Sequence, residues 1–223
     1  RLEAFLEGKD IYCASASQMF HVPVVKHGIN GDLRQKGKIA TLACGYGGSS
    51  GALISMGALQ MGLKEEELPE IIDSWREANP KIVQYWWDVE KAAMRAFKSK
   101  ERQDIGKISF VFYSGTLWMV LPSGRKLAYL KPKQQPNRFG RMSLTYEGVG
   151  QNHKWARQET YSGRLVENAT QAIARDILAE AMARIEDKGL NIVAHVHDEV
   201  IIEAPKDKYT VDEICQLMAT NPD

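Results

Sequence analysis

The apolar pattern of the chain changes at Gly106, and this change constrains the fold more than any other feature. Before it, apolar residues recur at helical spacing, as they do over residues 69–79. After it, residues 108–162 are rich in Val, Phe, Tyr, Thr and Trp and are interrupted by turn residues, among them Pro132 to Pro136, which predicts short antiparallel strands. Helical periodicity returns over residues 164–188. The sequence therefore predicts an α+β fold, with helices first and a β-rich part after them.

Composition narrows the class of protein less than this pattern does. The 223 residues suffice for one or two domains, and the net charge of +1 does not by itself require a polyanionic partner. The chain lacks a long apolar run or a signal-peptide pattern, which argues against a membrane or secreted protein. Cys13, Cys44 and Cys215 are odd in number and far apart, which favours a reducing cytoplasmic compartment. Because the sequence opens at Arg1 without a Met and closes without an obvious end, we expect a fragment.

A cluster of ionisable residues lies between two apolar runs in the stretch 193–203. The runs predict two short, mostly buried strands, with His197, Asp198 and Glu199 near the turn between them. Two adjacent carboxylates repel each other in an apolar setting, so a cation is their natural partner, and oxygen ligands suit magnesium or manganese. The alternative is a solvated turn, since charged residues are mostly exposed.

A second pattern lies on a predicted helix between Asp32 and Gly48. Arg34, Lys38, Leu42 and Tyr46 follow one another at intervals of four residues, so they form one stripe along the helix. Two cations followed by an apolar and an aromatic side chain suit a nucleoside triphosphate, with the cations on the phosphates and the ring near the base. The alternative is a solvated basic helix with a buried Leu and Tyr.

The stretch 124–146 has a local excess of positive charge, because it contains six cationic residues and no Asp or Glu at all. Such an excess is able to follow a phosphate backbone, and an exposed polar loop is the equally acceptable alternative. The cations are Arg125, Lys126, Lys131, Lys133, Arg138 and Arg141.

Three segments together resemble the family A DNA polymerases, the bacterial polymerase I group and its phage relatives. The stripe that begins at Arg34 resembles their nucleotide-binding helix, and the residues 9–12 resemble the segment before it. Gln171 is similar to a helix glutamine that touches the template or primer, and the residues 197–199 match the hairpin motif of the active site. The resemblance implies a hand-like architecture, with a helical fingers subdomain over 9–103 and a partial, antiparallel β-rich palm over 104–223.

The resemblance also implies an activity and a set of ligands. The activity is template-directed DNA synthesis, in which a primer 3′-hydroxyl attacks a deoxynucleoside triphosphate (dNTP) on primer-template DNA. Two Mg2+ ions assist in-line phosphoryl transfer in such enzymes. By resemblance Asp198 binds these ions and Glu199 supports them, while His197 contacts the primer terminus.

The remaining implied roles concern the nucleotide and the DNA. Arg34 and Lys38 grip the triphosphate, and Lys38 also protonates the pyrophosphate leaving group. Tyr46 stacks near the template base, and Leu42 lies beside the nucleotide. Gln171 contacts the DNA, and so does the residue Arg164.

Several positions depart from the family pattern. Leu42 replaces the usual Phe or Tyr, which puts sugar discrimination in question, and Tyr12 replaces a His that helps to hold the triphosphate. Arg164 and the Asn before Gln171 are out of register with the bacterial enzymes. The motif Asp-x-Ser-x-x-Glu, which carries the second metal-binding Asp, is absent, and so is the DNA-gripping thumb. We therefore expect the isolated chain to polymerise poorly or not at all.

Two rival functions remain. One is a metal-dependent hydrolase, in which His195 and His197 share a strand face as metal ligands. The other is a non-catalytic DNA-binding module that uses the basic stretch 124–146, and it predicts salt-dependent binding that does not require Lys38 or Asp198.

Overall fold

The structure is a computed structural model that describes residues 2–137, 140–150 and 152–222. Helices occupy the first part of the chain, strands the middle, and a helix, a hairpin and a further helix the end. The first helices are α1 (Leu2–Leu6), α2 (Ile11–Phe20), α3 (Leu33–Cys44), α4 (Ser50–Ser55), α5 (Leu68–Ala78) and α6 (Pro80–Ser99), with a single 3-10 turn at Glu65–Glu67. They are followed by β1 (Gln103–Ile105), β2 (Ile108–Tyr113), β3 (Thr116–Val120), β4 (Lys126–Pro136), β5 (Met142–Val149) and β6 (Trp155–Glu159). The last elements are α7 (Ser162–Asp187), β7 (Asn191–Val196), β8 (Glu199–Glu203) and α8 (Val211–Ala219).

The α+β class predicted from the sequence is confirmed, and the helices begin where local chemistry allows it. Asp10 caps α2, because its carboxylate accepts hydrogen bonds from backbone N–H groups in the first turn. Asn79 ends α5, and Pro80 then begins α6 at a position where a missing N–H costs nothing. Trp75 and Trp86 stack across the two helices with their ring centroids 5.9 Å apart.

Strands β1 to β6 form one antiparallel sheet in which neighbours in sequence are neighbours in space. The predicted break at Pro132 to Pro136 is wrong, since β4 continues to Pro136. The register of β4 on β5 shifts between Leu130 and Lys133, and Lys131 has a φ of 43°. This bulge accommodates Pro132, which has no N–H to donate to the ladder.

Helix α7 lies between the sheet and the terminal hairpin in sequence. It contacts α6, β7 and α8. The predicted hairpin is present as an antiparallel pair that is separate from the larger sheet. Its predicted burial is wrong: the exposed fractions are 53% for Val193, 59% for Val196 and 50% for Ile201. These three residues face solvent, whereas Ile192, Val200 and Ile202 are partly buried.

One large apolar core connects the helices with the sheet. It runs from Met19 in α2, through Trp75, Phe110 and Leu117, to Ala172 in α7. None of the helices in the described part of the chain is long and apolar enough to cross a membrane.

Candidate active site

Arg34 lies in the first turn of α3 and forms an ion pair with Asp10. Its Nε donates a hydrogen bond to Oδ2 of Asp10 at 2.8 Å, and its Nη2 lies 2.8 Å from the same oxygen in the ion pair. The two side chains are mostly buried, with exposed fractions of 23% for Arg34 and 24% for Asp10. The pairing joins residues 24 positions apart, and neither periodicity nor spacing in the sequence indicates it.

Tyr12 lies beneath both cations of α3. The guanidinium carbon of Arg34 is 5.3 Å from the centroid of its ring, and Nζ of Lys38 is 5.9 Å from it. Such distances are typical of cation–π contacts. In the described part of the chain Lys38 has no acidic partner, so its charge is available to an anion. The structure thus brings Tyr12, Arg34 and Lys38 together on one face of α3.

The second half of the predicted stripe lies differently. Leu42 is in α3 and is 39% exposed, but α3 ends at Cys44, so the prediction that Tyr46 lies on the helix is wrong. The chain turns at Gly45, whose N–H donates to Thr41 while its carbonyl accepts from Nε1 of Trp86 at 3.1 Å. Tyr46 is partly buried in this turn.

The turn after α3 rests on the start of α7. A methyl group on Gly163 would lie 1.8 Å from the carbonyl oxygen of Tyr46, so only a glycine fits there. Gly47 has a φ of 72° and lies against the same residue. This contact fixes Tyr46 relative to the helix that carries Arg164 and Gln171.

On α7 the two predicted DNA-binding residues have different environments. Gln171 is exposed, which suits a contact with an outside partner. Arg164 donates from Nη1 to the carbonyl of Glu159 at 3.3 Å and lies over the ring of Tyr161. Asn168, one turn before Gln171, donates to the hydroxyl of Tyr129 at 3.0 Å.

The turn of the hairpin presents His197 and Asp198 to solvent, with Glu199 beginning β8. His197 has a φ of 54°, a left-handed conformation that tightens the turn. Among the described residues, neither carboxylate forms an ion pair or a hydrogen bond, and no group of three potential metal-ligating side chains occurs. Asp198 and Glu199 are suitable oxygen donors, but within the described ranges they do not complete a metal site.

The assumption behind the hydrolase alternative fails. His195 lies in β7, whereas His197 lies in the turn beyond that strand, so the two imidazoles do not follow the alternation of one strand face. Sequence spacing alone could not distinguish a strand position from a turn position here.

Half of the six cations in the basic stretch 124–146 are neutralised by acidic residues from other elements. Three of its cations form ion pairs: Arg125 with Asp176, Lys131 with Glu147, and Arg141 with Glu90. Lys126 lies near the ring of Tyr113, Lys133 is exposed, and Arg138 lies outside the described residues. The stretch therefore offers fewer free positive charges than its composition predicts.

Comparison with solved structures defines the class of fold. The chain superposes on the POL domain of Pol1 from M. smegmatis, in a complex with DNA primer-template and dNTP, with a TM-score of 0.60 and 22% identity. The match covers 97% of this chain and 31% of that one. The fold is therefore that of part of a polymerase I polymerase domain, although no protein-family model matches the sequence.

Sequence comparison adds a particular relative. The chain is 50% identical, over 220 residues, to the DNA polymerase of Bacillus phage SP02. The match covers 98% of this chain and 34% of the phage protein, so the chain spans about a third of that relative's length. The resemblance to phage-type DNA polymerases found in the sequence is confirmed.

Proposed function

We propose that this chain supplies the fingers and part of the palm of an enzyme that synthesises DNA on a template from dNTPs. The observation that supports the proposal most strongly is the face of α3, where Arg34 and Lys38 lie over Tyr12 in a chain half identical to a phage DNA polymerase. An unpaired ammonium beside a guanidinium suits a triphosphate, whose charge lies on several oxygens. Primer-template DNA and a dNTP are the partners we propose, with helical fingers over 9–103 and palm over 104–223.

In this proposal each cation has its own task. Arg34 binds phosphate oxygens with the donors that Asp10 leaves open, and Lys38 binds the same group and protonates the leaving pyrophosphate. Tyr46, fixed against α7 by Gly163, bounds the position of the template base. Leu42 and Tyr12 complete the proposed nucleotide-binding site. Gln171 and Arg164 are the residues that we propose to contact the DNA.

Asp198 and Glu199 are proposed as this chain's share of a Mg2+ site, with His197 beside the primer terminus. Enzymes of this class hold two divalent ions that stabilise the attacking and leaving oxygens. Because the two side chains do not make up such a site among the described residues, the isolated chain is expected to extend primers weakly or not at all. We also propose that the enzyme acts in the cytoplasm of a bacterial cell.

Primer extension tests the proposal with two proteins: the 223-residue chain and the chain lengthened at both ends by its native coding sequence. We expect extension with Mg2+ only by the lengthened protein. Lys38→Ala and Asp198→Ala should each reduce its rate of primer extension by roughly a hundredfold or more. Roughly a hundredfold is the low end of what a general acid contributes to a rate. Lys36→Ala, on another face of α3, and Asp207→Ala, in an exposed turn, are the matched controls and should retain activity.

Other results would point elsewhere. Salt-dependent DNA binding without extension by the lengthened protein, unaffected by Lys38→Ala, would favour the non-catalytic DNA-binding module. Equal effects of Lys38→Ala and Lys36→Ala would show that charge alone, and not the position over Tyr12, matters on α3.

A further inference from the structure

The carboxylate of Asp10 serves two helices at once. Its Oδ1 accepts hydrogen bonds from the backbone N–H groups of Tyr12 and Cys13, each at 3.0 Å, and so caps α2. Its Oδ2 accepts a hydrogen bond from Nε of Arg34 on α3 at 2.8 Å and lies 2.8 Å from Nη2 of the same guanidinium. The capping hydrogen bonds already fix the position of the Asp10 carboxylate. The guanidinium of Arg34 is therefore paired with a group that is itself held against the backbone of α2.

Close packing of α2 on α3 brings the two groups together. A methyl group on Gly37 would lie 2.4 Å from the carbonyl oxygen of Tyr12 and 2.9 Å from Cβ of Ala16, so the helices touch through a glycine. Arg34 precedes Gly37 by about one turn and therefore lies at the start of α2, directly opposite Asp10.

The ion pair uses only part of the guanidinium. An arginine side chain has five N–H donors, and Asp10 occupies only the edge formed by Nε and Nη2, which leaves the donors of the opposite edge directed away from the carboxylate. The next cation on this face, Lys38, lies one turn further along α3 and over the same Tyr12 ring. The fixed Arg34 thus offers an oriented edge of donors next to the ammonium of Lys38.

The titration of Asp10 agrees with this geometry. Partial burial alone would raise the pKa of Asp10, but hydrogen bonds from Cys13 and Arg34 outweigh it and the pKa is lowered. The carboxylate is therefore charged, and pairs with Arg34, at neutral pH.

We propose that Asp10 is a positioning residue for nucleotide binding: it holds Arg34 so that the donors left open meet the triphosphate beside Lys38. The inference rests on the proposed function of α3. It assigns to Asp10, otherwise a helix cap, a second task that no neighbouring residue performs in the described part of the chain.

The two tasks are separable by substitution in the lengthened protein. Asp10→Asn keeps the cap, since Asn caps helices as well as Asp does, but removes the charge that holds Arg34. Asp10→Glu keeps the charge but caps less well. We expect Asp10→Asn to raise the KM for dNTP roughly tenfold, because a misplaced binding group costs that much or more. The kcat should change little, and so should the melting temperature.

Asp10→Glu should show the opposite pattern, with a lower melting temperature and a KM closer to that of the wild type. Arg34→Ala should raise the KM at least as much as Asp10→Asn does. The double variant should then match Arg34→Ala alone, because the two side chains act as one unit.

An unchanged or lower KM in Asp10→Asn, with a raised KM in Arg34→Ala, would overturn the inference: Asp10 would then be a cap only, or a competitor of the phosphates. An unchanged KM in Arg34→Ala would overturn the nucleotide role of Arg34, and the Asp10 inference with it. The two failures are therefore distinguishable.

Discussion

Tyr129 is the buried polar residue that joins the sheet to α7. Its side chain is 2% exposed, its hydroxyl accepts a hydrogen bond from Nδ2 of Asn168 at 3.0 Å, and its ring meets that of Tyr146 edge to face. Asn168 precedes Gln171 by one turn, so this bond fixes the part of α7 that we propose to contact DNA.

Burial gives Tyr129 a pH dependence that can be tested. Removal from water, the largest effect, raises its pKa from 10.0 to about 12, although the Asn168 bond lowers it somewhat. A raised pKa in the folded state adds stability below the unfolded value, and this contribution is lost as the pH rises through the folded pKa. Between pH 10.0 and about 12, unfolded Tyr129 ionises while the folded residue stays protonated, so the wild type loses stability.

Tyr129→Phe should be less stable than the wild type near neutral pH, by about 1 kcal/mol, because the Asn168 amide loses its acceptor. The difference should shrink as the pH rises above 10.0, since the variant lacks the ionisable hydroxyl. Urea unfolding at several pH values measures this, with Tyr113→Phe, at an exposed position, as the control. Parallel stability curves for the wild type and Tyr129→Phe would contradict the argument.

At the scale of elements, the contact between the turn after α3 and the start of α7 holds the two candidate binding helices together. It depends on Gly163, where a methyl group would lie 1.8 Å from the Tyr46 carbonyl oxygen and 2.5 Å from its carbon. Both atoms belong to the backbone, so a flexible side chain cannot simply move aside.

Gly163→Ala should therefore destabilise the chain, although alanine favours helices by up to about 1 kcal/mol over glycine. Overpacking of this kind costs about 1–3 kcal/mol, which exceeds the gain in helix propensity. Gly51→Ala is the matched control: Gly51 lies in α4, and a methyl group there meets nothing within 4 Å. Thermal unfolding of both variants tests this prediction, and Gly163→Ala should have the lower melting temperature. Equal melting temperatures for the two variants would show that α3 and α7 shift to accommodate the methyl group.

The elements also show what the sequence could predict. Helical periodicity identified α5 and α7, and two apolar runs around a short ionisable cluster identified the β7–β8 hairpin, because these signals are local. The bulge that carries β4 past Pro132 depends on the pairing with β5, so it was missed. Likewise the position of Tyr46 depends on the glycine of a distant helix, and the exposure of the hairpin on what packs over it.

The candidate site divides in the same way. Residue types and spacing identified Arg34 and Lys38 as neighbours on α3, and in the structure both cations lie over the aromatic ring of Tyr12. Spacing in the sequence does not indicate partners that are distant along the chain. Examples are Asp10, which pairs with Arg34, and Asp176, which pairs with Arg125 of the basic stretch.

At the scale of the whole molecule, packing is uneven. The large core joins α2 to α6, the sheet and the first half of α7, whereas the hairpin lies outside it. Helix α8 has no buried residue, and Val196 and Ile201 of the hairpin are exposed by half or more. The proposed nucleotide-binding residues therefore lie on the well-packed part of the molecule, and the Asp198–Glu199 pair on the weakly packed part.

Hydrogen exchange should reveal this difference directly. Segments with few buried apolar contacts open at a smaller free-energy cost than the core, so their amides exchange sooner. In the isolated chain, peptides from β7–β8 and α8 should exchange well before peptides from α6 and β2, and the start of α7 should be protected with the core. In the lengthened protein, coverage of the exposed strand face should slow exchange in the hairpin while that of α6 stays unchanged. Equal protection of the hairpin and α6 in the isolated chain would show that the hairpin belongs to the same cooperative unit, and the argument from packing would fail.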